Sequence, residues 1–280
     1  MRIKAYAKIN ILLDIVGIKE NGYHLLEMIM QSIDLYDLID VDKIEKGIKM
    51  KSNKSYIPTN NKNIAYKAAE LFMNTYGISE GVSINIYKNI PTSAGLGGGS
   101  ADGAAVLKAM RKIFNVNVSD KELEKLGAKI GADVPFCING GTAFCKGIGE
   151  VIMPIRKFQN KILVVVKPKF GVSTKWVYNE YDNLNNVKKP KTEKILNAVK
   201  NDDLKLVSTE MANVLEAVTI SKYGIIDKIK KDMLRLGALG AMMSGSGPSV
   251  FGFFEDSLSA QKCFESMKEN YSETFITRTI

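Results

Sequence analysis

Apolar side chains fill every odd position from Ile3 to Ile15, namely Ile3, Ala5, Ala7, Ile9, Ile11, Leu13 and Ile15. Successive side chains of a strand alternate between faces. The period therefore predicts one long strand with Lys4, Lys8, Asn10 and Asp14 on its other face. Lys19-Glu20-Asn21-Gly22 follows, and Asn-Gly is a strong hairpin signal. Tyr23-His24 opens a second strand through Ile33, and Asp37 to Ile44 reads as a third, so the first sixty residues predict mostly antiparallel sheet. Asn60 to Asn63 supply cap candidates for a helix over Ile64 to Tyr76, with Ile64, Ala68, Leu71 and Phe72 as its stripe and Gly77 as its stop. Val82, Ile84 and Ile86 then alternate with Ser83, Asn85 and Tyr87, which predicts another half-buried strand.

Next comes Pro91-Thr92-Ser93-Ala94-Gly95-Leu96-Gly97-Gly98-Gly99-Ser100. From Ala101 to Phe114 the apolar residues return at helical spacing. Strand, glycine loop and helix together aim free backbone N–H groups and a helix dipole at an anion, most often a phosphate. No Lys follows the glycines as a P-loop requires, and Ser100 stands where a dinucleotide fingerprint needs its last Gly. Ser119-Asp120-Lys121-Glu122 predicts a capping box for a helix carrying Leu123, Leu126 and Ile130 inward and closed by Gly131. Strand patterns resume at Gly141 to Phe144 and Ile162 to Val166, and the division between halves falls near 156–160, giving domains 1–157 and 158–280. The polar stretch from Asn179 to Lys194 reads as a mobile surface loop. Helical patterns follow at about 192–200, 203–218, 222–235 and 257–269, with a strand at 274–278. A second small-residue loop, Ser244-Gly245-Ser246-Gly247-Pro248-Ser249, lies between two apolar strands. The whole is α+β.

Composition narrows the class. The chain has 280 residues, 45% hydrophobic and 25% charged, as in a soluble globular protein. Its net charge of +9 suits either nucleic acid or a polyphosphate ligand, and the Lys and Arg residues are dispersed rather than blocked, which favours the second. Three cysteines without CxxC spacing and a single histidine leave no zinc constellation, so free thiols in a reducing compartment are expected. The N-terminus lacks the apolar core of a secretion signal, and no later run is long enough to span a membrane, so the expected location is cytoplasmic.

Several single residues leave alternatives open on pattern alone. Lys8 on a strand face is ordinarily a solvated charge. His24 is ordinarily structural, although Tyr23 beside it offers an aromatic plate next to a hydrogen-bonding edge, an arrangement able to hold a flat base. Asp133, in Gly131-Ala132-Asp133-Val134-Pro135-Phe136, is either an acid that bonds its own turn or a carboxylate placed as a base.

Taken together, Ala7-Lys8-Ile9-Asn10, the stretch from Pro91 to Ala105, and Ser244 to Ser249 resemble the motifs of the GHMP kinase superfamily, in order and across the whole chain. Gly22-Tyr23-His24 and Gly131 to Phe136 resemble the branch that phosphorylates a methylerythritol carried on cytidine diphosphate, in the non-mevalonate route to isoprenoid precursors. Gly103 departs from that branch, which usually has Ala there, and should loosen the start of its helix slightly. The resemblance implies a two-domain fold, with a small-ribosomal-subunit-domain-like N-terminal half, a ferredoxin-like C-terminal half and the active site in the cleft between them. It implies transfer of a phosphoryl group from ATP with Mg²⁺, Asp133 as general base and Lys8 as its electrostatic partner. Gly95, Leu96, Gly97, Gly98, Gly99 and Ser100 would hold the ATP phosphates, and Asn63, Ile64, Lys88 and Ser93 match positions near the nucleotide. Tyr23, His24 and an aromatic after Thr174, Tyr178 in preference to Trp176, match the cytosine contacts. Asn10 would meet the substrate's polar tail, and Ser100 is the nearest candidate for a metal ligand. The partners implied are small molecules, with no nucleic acid and no membrane, in a monomer or weak homodimer. A mevalonate- or homoserine-type kinase of the same superfamily is the runner-up, against which Gly22-Tyr23-His24 argues because those acceptors carry no base. A basic nucleic-acid-binding protein is the remote alternative, and it would need clustered Lys and Arg interleaved with aromatics, which the chain lacks.

Overall fold

In the computed structural model, which describes residues 1–184 and 187–280, the N-terminal period is realised as strand β1 (Arg2–Ile18). Of its polar face Lys4 is exposed, while Lys8, Asn10 and Asp14 are buried. A single strand, β2 (His24–Ile44), replaces the two expected over this range. No Gly or Pro interrupts it, and the acid that looked like a break, Asp37, is wholly buried and accepts hydrogen bonds from the Asn89 and Ile90 N–H groups. Strand β3 (Ile48–Ser52), helix α1 (Ile64–Tyr76), strand β4 (Gly81–Tyr87), helix α2 (Gly98–Ile113), helix α3 (Asp120–Ala128) and the short helix α4 (Val134–Asn139) follow. Asn63 caps α1 by accepting from the Ala65 N–H, and Gly77 closes it in the left-handed conformation at φ 62°. The Ser119–Glu122 capping box of α3 is formed. That helix stops at Ala128, short of Ile130.

The remaining elements are β5 (Thr142–Lys146), β6 (Val151–Pro154), β7 (Ile162–Lys167), α5 (Thr174–Tyr181), α6 (Thr192–Lys200), α7 (Leu204–Glu210), β8 (Ala212–Asn213), α8 (Glu216–Lys222), α9 (Ile225–Arg235), β9 (Gly240–Met243), β10 (Val250–Phe254), α10 (Ser257–Asn270) and β11 (Glu273–Arg278). The polar stretch read as a loop over 179–194 thus contributes to α5 at one end and α6 at the other. Positions 185 and 186 within it lie outside the described residues. The helical pattern at 203–218 is two helices with β8 between them, because residues 212–213 pair with Leu12 and Leu13 of β1.

The chain forms two compact units that interleave in sequence. One contains Met1–Lys8, Leu35–Ile90 and Gly97–Gly140. In it β4 pairs antiparallel with the second half of β2, from Leu38↔Tyr87 to Ile44↔Gly81, and parallel with β3. Helices α1 and α2 pack together over Ile39, Val41, Phe72, Ile84, Leu107 and Met110, with Leu123 and Val134 joining the same core. The other unit contains Ile9–Asp34, Pro91–Leu96 and Gly141–Ile280. There β5 pairs with the first half of β2, and β7, β9, β10 and β11 form an antiparallel sheet in the order β11-β7-β10-β9. With α9 and α10 over Val164, Val166, Ile229, Met233, Val250 and Cys263, this is the ferredoxin-like arrangement. Among the described residues no helix is long and apolar enough to cross a membrane.

Gly103 has a packing reason. A Cβ there would lie 2.8 Å from Cγ2 of Ile64, so the absent methyl lets α1 sit close on α2. We expect Gly103→Ala to lower stability by about 1 kcal/mol despite its better helix propensity. Adding Ile64→Ala should relieve part of that cost, so the urea midpoint of the double variant should exceed the additive sum of the single variants.

Candidate active site

Lys8 leaves β1 beside the start of α2. A Cβ on Gly97 would come within 2.9 Å of Lys8 Cγ, so only glycine there leaves room for the lysine stem. Gly97 has φ 68° and caps α2, whose first helical residue, Gly98, comes three positions earlier than the Ala101 start expected. The Lys8 ammonium lies 3.4 Å from Oδ2 of Asp133, with Lys8 buried and Asp133 30% exposed. Asp133 occupies the cap position of α4, yet its carboxylate makes no capping bond there. The acid therefore does not serve its own turn, and among the described residues its ion pair is with Lys8. Solvent access on one side and a buried cation on the other leave it reachable beside a positive charge, a placement that suits a base.

Beneath the same helix start lies a buried charge cluster that sequence reasoning missed. Lys88 Nζ donates to Asp37 Oδ2 at 2.5 Å and to Asp102 Oδ2 at 2.7 Å, and all three side chains are nearly sealed from water. A Cβ on Gly98 would sit 3.0 Å from that ammonium, so the cluster abuts the first residue of α2. Burial alone would lower the Lys88 pKa, but the Asp102 and Asp37 carboxylates overcome it and leave it raised. Burial pushes Asp102 well above the usual carboxylate range, with Asp37 adding to it and Lys88 only partly offsetting it. Asp102 Oδ1 has no hydrogen-bond partner among the described residues. One positive charge between two buried acids is best balanced when Asp102 carries a proton.

The other predicted nucleotide positions fall as follows. Asn63 spends its side chain on the α1 cap and on Pro58 O, while Ile64 lies over Gly99 and Gly103. Gly99 and Ser93 are exposed, and Ser93 has φ 50°. The two small-residue loops meet: Ser244 Oγ donates to Gly95 O at 2.9 Å, the Ser249 N–H donates to Ala94 O, and a Cβ on Gly95 would collide with Ser244 O. Ser100 is part-exposed, its hydroxyl 3.7 Å from where a Cβ on Gly131 would stand.

A second group gathers around His24. The Tyr178 ring lies against the imidazole with centroids 4.9 Å apart, and Tyr181 meets it edge-on at 6.4 Å. Trp176 instead contacts Tyr223 and the Lys222 ammonium, so of the two candidates only Tyr178 is beside His24. Tyr23 is 60% exposed. His24, Tyr181, Asp182, Asp14, Ile18 and Lys189 border a cavity of about 530 Å³. Lys189 reaches from the polar stretch to Asp14 and to the Ile15 carbonyl of β1. Thr174 bonds Ser246 of the second loop at 2.9 Å, and Asn10 is fully buried with its amide on Met28 Sδ. Asp14, Tyr181, Asp182 and Lys189 carried no motif. Only the four-residue step from Tyr178 to Asp182 on one helix could have paired them.

These features match a known family. The model for the N-terminal domain of GHMP kinases matches residues 63–141, and that for the C-terminal domain matches 195–273. The chain belongs to the GHMP kinase family, so it is an ATP-dependent phosphotransferase with the α+β architecture expected. It is 59% identical, over all of both chains, to the 4-diphosphocytidyl-2-C-methyl-D-erythritol kinase of Clostridium botulinum (strain Alaska E43 / Type E3). A crystal structure of 4-(cytidine 5'-diphospho)-2C-methyl-D-erythritol kinase is 30% identical, with a TM-score of 0.85 over 100% of this chain and 99% of that one. Homoserine kinase from Cytophaga hutchinsonii shares the fold, with a TM-score of 0.74 at 20% identity over 100% of this chain and 94% of its own.

The buried cluster yields two expectations. Lys88→Met strands two acids, and we expect it to cost about 3–5 kcal/mol in urea unfolding. A raised native pKa means that Asp102 adds stability which is whole below its ordinary value of 3.8 and is lost as pH rises through the native value. Asp102→Asn imitates the protonated acid, so it should stay folded and flatten that pH dependence, as read from urea midpoints measured across pH.

Proposed function

We infer that this kinase transfers the γ-phosphoryl group of ATP to the 2-hydroxyl of 4-diphosphocytidyl-2-C-methyl-D-erythritol, giving the 2-phosphate and ADP in isoprenoid precursor synthesis. The relatives that carry this name at 59% identity over full length support the acceptor. The observation that carries the chemistry is the Lys8–Asp133 pair, with a carboxylate that its own helix does not use.

In this reading Asp133 takes the proton of the 2-hydroxyl as the oxygen attacks the γ-phosphorus. The bond from that phosphorus to the β–γ bridging oxygen breaks, and ADP leaves. Lys8 holds Asp133 ionised and offsets charge spreading over the transferred group. Gly95 to Ser100 present backbone N–H groups and the positive end of α2 to the phosphates. Asn63, Ile64, Lys88 and Ser93 frame the nucleotide, Lys88 by bracing the loop from below, since its ammonium already binds two carboxylates. Tyr23, Tyr178 and His24 hold the cytosine, with Thr174 and Asn10 towards the rest of the acceptor.

Mg²⁺ takes hard oxygen ligands, mostly from phosphates and water, with one or two from protein. The Ser100 hydroxyl at the start of α2 fits that need, and no group of three His, Cys, Asp or Glu side chains among the described residues forms a metal cage of its own. Bound there with ATP, the ion would neutralise phosphate charge. We place the enzyme in the cytoplasm as a monomer or weak homodimer, with domains 1–157 and 158–280.

Purified protein with ATP and Mg²⁺, offered the diphosphocytidyl acceptor, mevalonate and homoserine separately, should release ADP with the first alone. Turnover of mevalonate or homoserine in its place would sink the assignment. Asp133→Asn should lower kcat by about 10²-fold or more while leaving acceptor affinity, read by calorimetry, within about two-fold. A near-normal rate would remove Asp133 as the base.

A further inference from the structure

The imidazole of His24 makes one hydrogen bond to the described residues, from Nε2 to Oδ1 of Asp182 at 2.6 Å. Asp182 caps the C-terminal end of α5, and its side chain is 44% exposed. A carboxylate at a helix C-terminus faces the negative end of the dipole, an unfavourable placement. Helix formation gives no reason for an acid here, and the bond to His24 does. The His24 side chain is itself only 10% exposed, so its ring is held rather than solvated. Tyr178 precedes Asp182 by four residues. One face of α5 thus delivers a ring against the imidazole face and an acceptor to its edge.

We propose that Asp182 is a positioning residue that sets base specificity through the tautomer of His24. An ionised carboxylate only accepts, so the neutral ring bonded to it must carry its proton on Nε2. Nδ1 is then a bare acceptor. A cytosine edge offers an exocyclic amine donor, whereas uracil offers a carbonyl oxygen at the same position. A His24 locked in this form accepts from the amine and repels the carbonyl. The opposite tautomer, with Nδ1–H, would reverse the preference. This role rests on the cytidine-diphosphate acceptor proposed above.

His24 is the single histidine of the chain, so ¹⁵N-histidine labelling gives one pair of ring signals to read. At about pH 8, above the ordinary histidine range, the free wild-type protein should show Nε2 protonated and Nδ1 bare. Asp182→Ala should show a mixture of tautomers, and Asp182→Glu should restore the wild-type pattern. In parallel, the ratio of kcat/KM for the cytidine acceptor to that for its uridine counterpart should fall about ten-fold in Asp182→Ala, through KM rather than kcat. Identical ring signals in wild type and Asp182→Ala, or an unchanged ratio, would overturn the assignment while the acceptor reading stands. Failure of the wild-type enzyme to phosphorylate the cytidine acceptor would overturn that reading and the specificity role with it, whatever the ring signals show.

Discussion

The ammonium of Lys88, buried between Asp37 and Asp102, ties together three segments far apart in sequence. Asp37 lies mid-way along β2, Lys88 follows β4, and Asp102 belongs to the opening turns of α2. Asp37 also accepts from the N–H groups of Asn89 and Ile90, so its carboxylate organises the backbone that leaves β4 as well as the charge. Removing Lys88 strands two buried acids, and removing Asp37 leaves the Asn89 and Ile90 N–H groups without their acceptor, which costs far more than the intact set contributes. The glycine loop needs such an anchor because glycine supplies no side-chain packing of its own. The start of α2 is held from below by Lys88 and from beside by the stem of Lys8 across Gly97. The carboxylate that Lys8 meets is on a different helix cap, so one lysine both packs the loop and presents the acid.

Local signals in the sequence were strong where a single element decides its own fate. The α1 helix begins and ends where Asn63 and Gly77 say, and the α3 capping box forms as written. The signals failed where burial of a polar group depends on distant partners. Period two marked Lys8, Asn10 and Asp14 as one face of β1, but could not show that this face would be covered. Asp37 looked like the start of a separate strand because its partners at 88–90 lie some fifty residues away. Of the candidate site, Lys8, Asp133 and the loop were legible because they sit in motifs. Asp182 and Asp102 were not, since an acid on a helix is ordinary until its partner is seen. The interleaving of the two compact units has the same origin, for β1 and β2 each pass from one unit to the other without a break in pattern.

Two acids in this chain carry opposite assignments for one physical reason. Asp102 is sealed from water with a second acid beside it, so burial favours its neutral form despite Lys88. Asp133 keeps 30% exposure and faces the buried ammonium of Lys8 at 3.4 Å. A base that must accept a proton from a substrate hydroxyl has to begin as the anion. An acid under the loop is better neutral if the loop holds phosphates as proposed, because a second full charge there would repel them. Asp102 shares the Lys88 ammonium that lies 3.0 Å from where a Cβ on Gly98 would stand, so its preference for the neutral form limits negative charge beneath the start of α2. On the proposed reading the arrangement separates two carboxylates by environment, one sealed beneath the start of α2 and one left open to solvent beside Lys8.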